Sequence, residues 1–226
     1  RQLKLGGVDV HLNAEINADS PELEEAEAII VATGARPIMP NIKGLENAID
    51  IITAHTHPEK LRGEKIVYCG GGLSACDSAL ETSLKGKKVA IIEKLDEVAA
   101  NDHFINKAAL LPMLRNNGVE LYTGHEVLEI AENGVRARRK DGAEVFIEAD
   151  TVVSAFGMEP NDRVAREIDA KYHTKTRIVG DCARVGKVGT AVRSGFFAAT
   201  AIQSEPDRQK QGLFSAPACV RSEEHT

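Results

Sequence analysis

The sequence predicts an α/β fold in which parallel strands alternate with helical crossovers, interrupted by one antiparallel β-meander. Three observations carry this. A strand, a glycine turn and a helix follow one another in KIVYCGGGLSACDSALE, residues 65–81. Apolar runs of strand length and helix-period segments then alternate as far as residue 123. Two turn dipeptides, Asn133-Gly134 and Asp141-Gly142, separate alternating segments in the manner of hairpins.

In chain order, residues 8–12 (VDVHL) alternate as a short strand, and 28–32 (AIIVA) form a buried strand run ending in Thr33-Gly34. Pro37, Pro40 and Pro58 punctuate a region without long periodicity, which reads as a connection between domains with a boundary near Leu61. Beyond it come a strand at 65–69, a helix at 73–84, a strand at 88–92, a helix at 104–116 and a short strand at 120–123. Gly86 and Gly118 stand where left-handed residues close helices. The meander follows, its basic run at 136–140 read as an exposed strand face. Residues 151–156 (TVVSAF) return to a buried strand closed by Gly157. A last strand at 177–179, a Gly180-Asp181 corner and a helix at 190–203 complete the pattern; from Ser204 on there is no periodicity, and 204–226 reads as a disordered tail.

With 226 residues and 42% hydrophobic content, the chain can bury the core of one large domain or two small ones. A net charge of -6 argues against a nucleic-acid partner. No apolar run approaches the ~20 residues that span a bilayer, and the first residues, RQLKLGGVDV, lack the pattern of a signal peptide. The four cysteines include no CxxC pair, which fits reduced thiols in a cytoplasmic protein. Cys69 and Cys76 fall on segments expected to pack inward, so they read as small apolar residues rather than a redox pair. His55 and His57, the closest histidine pair, lack further metal ligands nearby and read as solvated loop residues. No Ser-His-Asp or paired-carboxylate constellation nominates a catalytic residue, and no metal site is expected.

The glycine turn poses a chemical problem with a physical answer. Gly-x-Gly-x-x-Gly/Ala between strand and helix lets a pyrophosphate approach the backbone. Gly70 permits the tight turn, Gly72 removes a side chain that would block the phosphates, and Ala75 lets the helix pack closely on the sheet, with Gly71 between the two glycines also expected at the cofactor. The amides opening the helix, around Leu73 and Ser74, face the anion. Glu93, about 20 residues on and ending the next strand, can accept hydrogen bonds from an adenosine ribose. Its charge disfavours a 2′-phosphate and so favours NAD(H) over NADP, although Lys94 beside it opposes that preference. A glycine-rich turn with no nucleotide and a merely solvated Glu93 is the alternative. At the other corner, Asp181 can accept from a sugar or ribityl hydroxyl, with helix amides at Gly189–Ala191 offered to a flavin carbonyl; the alternative is a turn residue or helix cap.

IIVATGARP from Ile29 and RIVGDCARVGKVGTAVRSGFFAATAI from Arg177 resemble the two later cofactor motifs of flavoproteins with paired dinucleotide-binding domains, the superfamily of the disulfide reductases. SAFGMEPN is similar to the segment where such chains leave the NAD domain. Within that superfamily, VYCGGGLSACDSALE, GKKVAIIEKLDEVA, ALLPMLRNNGVELYTG and GDC followed by AVRSGFFAATAI resemble the C-terminal part of the NADH:flavin oxidoreductases of the 2-enoate reductase and 2,4-dienoyl-CoA reductase type.

The resemblance implies two Rossmann-like, three-layer dinucleotide-binding domains, with an NAD(P) domain at 61–156 inserted into a truncated FAD domain formed by 1–60 and 157–203. It implies that Thr33, Gly34 and Ala35 pass close to FAD, that Arg36 fixes the exit of the chain, and that Gly157, Gly180, Asp181 and Ala191 also lie at cofactors. The alternative for residues 33–35 is a small-residue strand end. In that family NADH delivers hydride to the FAD N5, and electrons pass through a 4Fe-4S cluster and FMN to an activated C=C bond. FMN and the cluster sit in an N-terminal barrel domain that is a partner outside these residues, so the chain is expected to be a fragment; a homo-oligomer is compatible with it. A disulfide reductase, NADH oxidase or ferredoxin reductase is the alternative enzyme, and a non-catalytic NAD-binding module the alternative of another class. RSEEHT at 221–226 matches the in-frame translation of a sequencing-library adapter and is expected to be adapter-derived.

Overall fold

The structure, a computed structural model, describes residues 2–211, with side chains as far as residue 202. In chain order its elements are α1 (Gln2–Leu5), α2 (Glu22–Glu25), β1 (Ile29–Val31), β2 (Ala35–Pro37), β3 (Ile49–Asp50), α3 (Ile51–Thr56), β4 (Lys65–Cys69), α4 (Leu73–Leu84), β5 (Lys88–Glu93) and α5 (Phe104–Asn116). There follow β6 (Glu120–Thr123), β7 (His125–Ala131), β8 (Gly134–Arg139), β9 (Glu144–Glu148), β10 (Thr151–Ser154), β11 (Met158–Pro160), α6 (Arg163–Tyr172), β12 (Thr176–Ile178) and α7 (Val188–Gln211). They divide into two compact units, one comprising Arg36–Glu159 and the other the residues before and after it.

The Arg36–Glu159 unit is built on a five-stranded sheet of order β3-β10-β4-β5-β6, parallel throughout. Its strands read as continuous apolar runs because both faces are covered. The period of two sorts their residues into two cores. Ile66, Tyr68, Val89, Ile91 and Val153 point to a layer of helices, against Ala54 of α3, Cys76 and Ala79 of α4 and Leu110 and Leu114 of α5. Val67, Cys69, Ala90, Ile92 and Val152 point the other way, against Ile130, Val135, Ala137 and Ile147 of the antiparallel meander β7-β8-β9. Three layers result: helices, parallel sheet, meander. The α/β expectation and the meander are therefore observed.

Tyr68 is fully buried in this unit, and its hydroxyl is satisfied on α4 by Ser78 O at 3.2 Å, Ser78 Oγ at 3.0 Å and Thr82 Oγ1 at 2.8 Å. Burial pushes its pKa up. Tyr68→Phe would strip Ser78 and Thr82, both buried, of that partner. It is expected to cost about 1–2 kcal/mol, the scale for a buried polar group left short of a bond, read as a lower urea midpoint with unchanged slope.

The sequence-based boundary near Leu61 is corrected. Residues 36–60 belong with the inserted unit, because β3 pairs with β10 at the edge of its sheet and Ile51 and Ala54 of α3 join its helical core. With two and six residues, these elements are too short to show a period among the prolines. His55 lies within α3 and His57 caps it, rather than both lying on a loop, although both are exposed.

The other unit pairs β1 with β12 in parallel, Val31 opposite Ile178. Its core gathers Leu23, Ile29, Val31, Ala165, Ile168 and Cys182. Lys175 fixes the end of α2, its Nζ donating to the carbonyls of Leu23 at 2.7 Å, Glu24 at 3.0 Å and Ala26 at 2.8 Å. The helix α6 occupies a stretch whose buried stripe is only Ala165 and Ile168, too narrow to announce itself in sequence. The strand expected at 8–12 does not form. Val8, Val10 and Leu12 are exposed, and none pairs with another strand among the described residues; alternation without a partner does not make a strand. The disordered tail expected at 204–226 is corrected in its first part, since α7 runs on to Gln211; residues 212–226, RSEEHT included, lie outside the described residues.

Among the described residues no helix is long and apolar enough to cross a membrane.

Candidate functional site

The glycine turn joins the C-terminal end of β4 to α4, the place where parallel α/β sheets present their ligand crevice. Each glycine has its own reason. Gly70 has φ +108°, and a Cβ there would lie 2.2 Å from the Ala155 carbonyl oxygen. A Cβ on Gly71 would press on Val98 at 2.8 Å and Glu93 at 2.9 Å. Gly72, the N-cap of α4, is extended at φ -66°, and a Cβ there would meet nothing within 4 Å. Gly70 and Gly71 are thus required by the protein's own packing, whereas the space beside Gly72 is left open.

That space belongs to a cavity of about 590 Å3 lined by all three glycines, Leu73, Glu93, Lys94 and Gly157. Gly157, at φ +100°, accepts from Ile38 N at 3.0 Å, and Ile38 lines the same cavity. Gly71 is clamped from both ends. Its amide donates to Glu93 Oε2 at 2.6 Å, and its carbonyl accepts from Ala99 N at 2.7 Å. Glu93 Oε1 in turn accepts from Leu95 N at 2.8 Å. The carboxylate therefore holds the turn and the following loop while lining the cavity, a coupling absent from its expected role as a ribose acceptor alone.

The first-turn amides of α4 have no intrahelical acceptor and open onto the positive end of the helix dipole. The open volume beside Gly72, those amides and an acceptor at the end of the next strand fit the pyrophosphate and ribose of a dinucleotide. Ala75 is buried, as close packing of α4 requires. The exposed side chain of Ser74 lines a second cavity with His55, Asp77 and Glu81, so only its amide is offered at the turn. Burial first, then the charge of Asp102, raises the pKa of Asp77.

Cys69 and Cys76 are fully buried, and burial raises both thiol pKa values, that of Cys76 to about 12. Neither is a poised thiolate at neutral pH, in keeping with their reading as apolar residues.

Sequence reasoning missed the far wall. Glu97, Asn101 and Asp102 line the cavity from the loop after β5, and His125 and Glu126 line it from β7. The loop carries one local sign, Ala99 at φ +50°, unusual for a residue with a side chain. The meander residues carry none, because their arrival depends on how β7 folds back.

In the other unit, Thr33 and Gly180 follow the C-terminal ends of the paired parallel strands β1 and β12. Thr33 Oγ1 donates to Asn161 O at 2.6 Å, and Gly34, at φ +74°, accepts from Asn161 N at 2.9 Å with open space where a Cβ would stand. Ala35 begins β2, which pairs with β11. Arg36 forms an exposed ion pair with Glu159 at 2.9 Å.

Gly180 and Ala191 line a cavity of about 450 Å3 together with Arg184, Lys187, Thr190 and Ser194. Asp181 Oδ1 accepts from Gly186 N at 3.1 Å, which orders the loop leading to α7. The Ala191 amide donates to Lys187 O at 3.1 Å, as does that of Thr190 at 2.9 Å. Of the amides expected at Gly189–Ala191 to meet a flavin carbonyl, those of Thr190 and Ala191 are therefore engaged within the chain, while that of Gly189, with Val188 before it, begins the helix and lacks an intrahelical acceptor. A basic cavity at a helix start beside a turn carboxylate fits a phosphate-bearing cofactor with hydroxyls.

Among the described residues, no group of three or more His, Cys, Asp or Glu side chains could hold a metal ion.

A family model described as pyridine nucleotide-disulphide oxidoreductase matches residues 3–195. The chain is 33% identical over 205 residues to an NADH oxidase of Thermoanaerobacter brockii, covering 86% of this chain and 31% of that protein. It is 29% identical over 198 residues to a bilirubin reductase of Mediterraneibacter gnavus, covering 86% and 30%. Of solved structures, a 2-naphthoyl-CoA reductase in complex with 2-naphthoyl-CoA matches with a TM-score of 0.78 at 29% identity, over 86% of this chain and 30% of that one. The chain thus spans about a third of the length of these relatives. The match runs through both units and both glycine-bearing corners, and the chain belongs to the pyridine nucleotide-disulphide oxidoreductase family.

Proposed function

We propose that the chain is the dinucleotide-handling part of an NADH-dependent flavoprotein oxidoreductase, with NADH on the Gly70–Gly72 turn and FAD at the corner formed by Thr33, Gly34, Gly180 and Asp181. The observation that carries it is the open space beside Gly72, at the start of α4 and in one cavity with the Glu93 carboxylate. When bound, NADH supplies a hydride and FAD accepts it. The residues of this chain do the positioning. The α4 amides hold the pyrophosphate, Glu93 accepts from the adenosine ribose, and Asp181 accepts from a ribityl hydroxyl.

The finer proposal is reduction of an activated C=C bond, in a longer cytoplasmic protein whose N-terminal barrel carries FMN and a 4Fe-4S cluster. No residue of this chain is assigned to either group. Similarity to proteins named bilirubin reductase and cinnamate reductase, the latter from Clostridium sporogenes at 25% identity, supports it. The NADH oxidase at 33% identity favours a second reading, with dioxygen as acceptor on the same two cofactor sites.

The test is a fluorescence titration with NADH and NADPH. Glu93→Ala is expected to weaken NADH binding by about 1–3 kcal/mol, the scale of a charged hydrogen bond, and to weaken NADPH less. Equal losses would mean that Glu93 serves only to hold Gly71, and would remove its ribose role. Anaerobic NADH should also bleach added FAD in the presence of the chain.

A further inference from the structure

We infer that Glu126, on β7, is a specificity-determining residue that makes the cavity at the glycine turn select a dinucleotide with a free 2′-hydroxyl on its adenosine ribose. The inference rests on the NADH reading above and deepens it.

Glu93 alone does not settle that choice. The next residue is Lys94, a cation beside the place where a 2′-phosphate would arrive, and among the described residues lining the cavity it is the sole lysine or arginine. Left to itself, it would attract the dianion that Glu93 repels. Instead Lys94 Nζ donates to Glu126 Oε1 at 2.8 Å. The other oxygen of the same carboxylate, Oε2, accepts from Arg138 Nη2 at 2.8 Å. One carboxylate therefore engages two cations. The neighbourhood is tied together as well: Gly124 N, just before β7, donates to Leu95 O at 2.8 Å, and Lys140, just after β8, pairs with Asp96, so the loop carrying Lys94 is joined to the meander carrying Glu126.

The consequence is one of charge. A ribose hydroxyl needs only an acceptor, which Glu93 provides. A 2′-phosphate needs a cation with spare capacity, and Lys94 is engaged. Lys94 and Arg138, in that order, hold the Glu126 carboxyl below its ordinary pKa, so it stays ionised at neutral pH. Both members of the Lys94–Glu126 pair are solvent-exposed, at 74% and 39%, so the pair adds little to stability. Its effect falls on the choice between ligands, through rejection of the wrong one.

The experiment is a titration of NADH and NADPH into the full chain, its Glu126→Gln variant and the Lys94→Gln/Glu126→Gln double variant, with circular dichroism confirming that each folds. Wild type is expected to prefer NADH. Glu126→Gln should tighten NADPH roughly tenfold, the effect of one additional charge-assisted contact, while NADH changes by less than about threefold on the same scale. The double variant should lose the gain. An unchanged NADPH to NADH ratio in Glu126→Gln, with NADH still bound, would overturn this inference and leave the NADH reading standing. A gain that survives in the double variant would overturn the part given to Lys94. Wild type binding neither dinucleotide would overturn the NADH reading itself and the inference with it.

Discussion

Gly72→Val is expected to abolish NADH binding in a protein that unfolds at nearly the wild-type urea concentration. The backbone at residue 72 is extended, with φ -66°, and a Cβ there meets nothing within 4 Å, so a branched side chain causes no internal clash. Its methyls instead enter the cavity at the start of α4, where a pyrophosphate must come within hydrogen-bond distance of the amides. Loss of close approach removes several charge-assisted contacts at once, each worth about 1.5–3 kcal/mol, so the dissociation constant should rise by more than about a hundredfold. A Gly72→Val protein with wild-type NADH affinity would mean that the nucleotide does not lie against this turn.

Gly70→Val, two residues earlier, should behave in the opposite way. With φ +108° and the Ala155 carbonyl oxygen 2.2 Å from any Cβ, the substitution forces β4 and β10 apart at the end where they are paired, or the turn out of its conformation. Backbone strain of about 1–3 kcal/mol adds to overpacking of about 1–3 kcal/mol. A total loss of about 3–5 kcal/mol is expected, on the same scale, read as a large fall in the urea midpoint. Equal stability of the two valine variants would contradict the division of labour between the glycines. The pair matters because the two outcomes together would separate internal packing at Gly70 from ligand access at Gly72.

The Gly70–Gly72 turn was legible in the sequence because its signal is local: a strand, a turn without side chains and a helix, all within residues 65–84. The parallel strands were legible for a related reason. Buried on both faces, they are apolar throughout, and no partner needs to be known to recognise them. The meander announced itself through Asn133-Gly134 and Asp141-Gly142.

What stayed hidden depends on contacts distant in sequence. β3 is a strand only because Ile49 and Asp50 lie beside Val153 and Ser154. The segment 8–12 has the alternation of a strand and no strand to pair with among the described residues. Glu93 was readable as an acid ending a strand, but its hold on the Gly71 amide needed coordinates. Glu126 was unreadable as a cavity residue, since a glutamate in an alternating strand is ordinarily a solvated one and only the path of β7 brings it to Lys94.

The central claim, that NADH binds at the β4–α4 turn, is tested most directly by mapping amide chemical shifts of the isotopically labelled chain during an NADH titration. Saturable shifts are expected at Gly71, Gly72, Leu73, Glu93 and Lys94, which line the same cavity, with Gly180, Asp181 and Ala191 unmoved at the concentration that saturates the turn. Shifts concentrated at Gly180 to Ala191 instead, or a turn that stays silent while NADH binds, would contradict it.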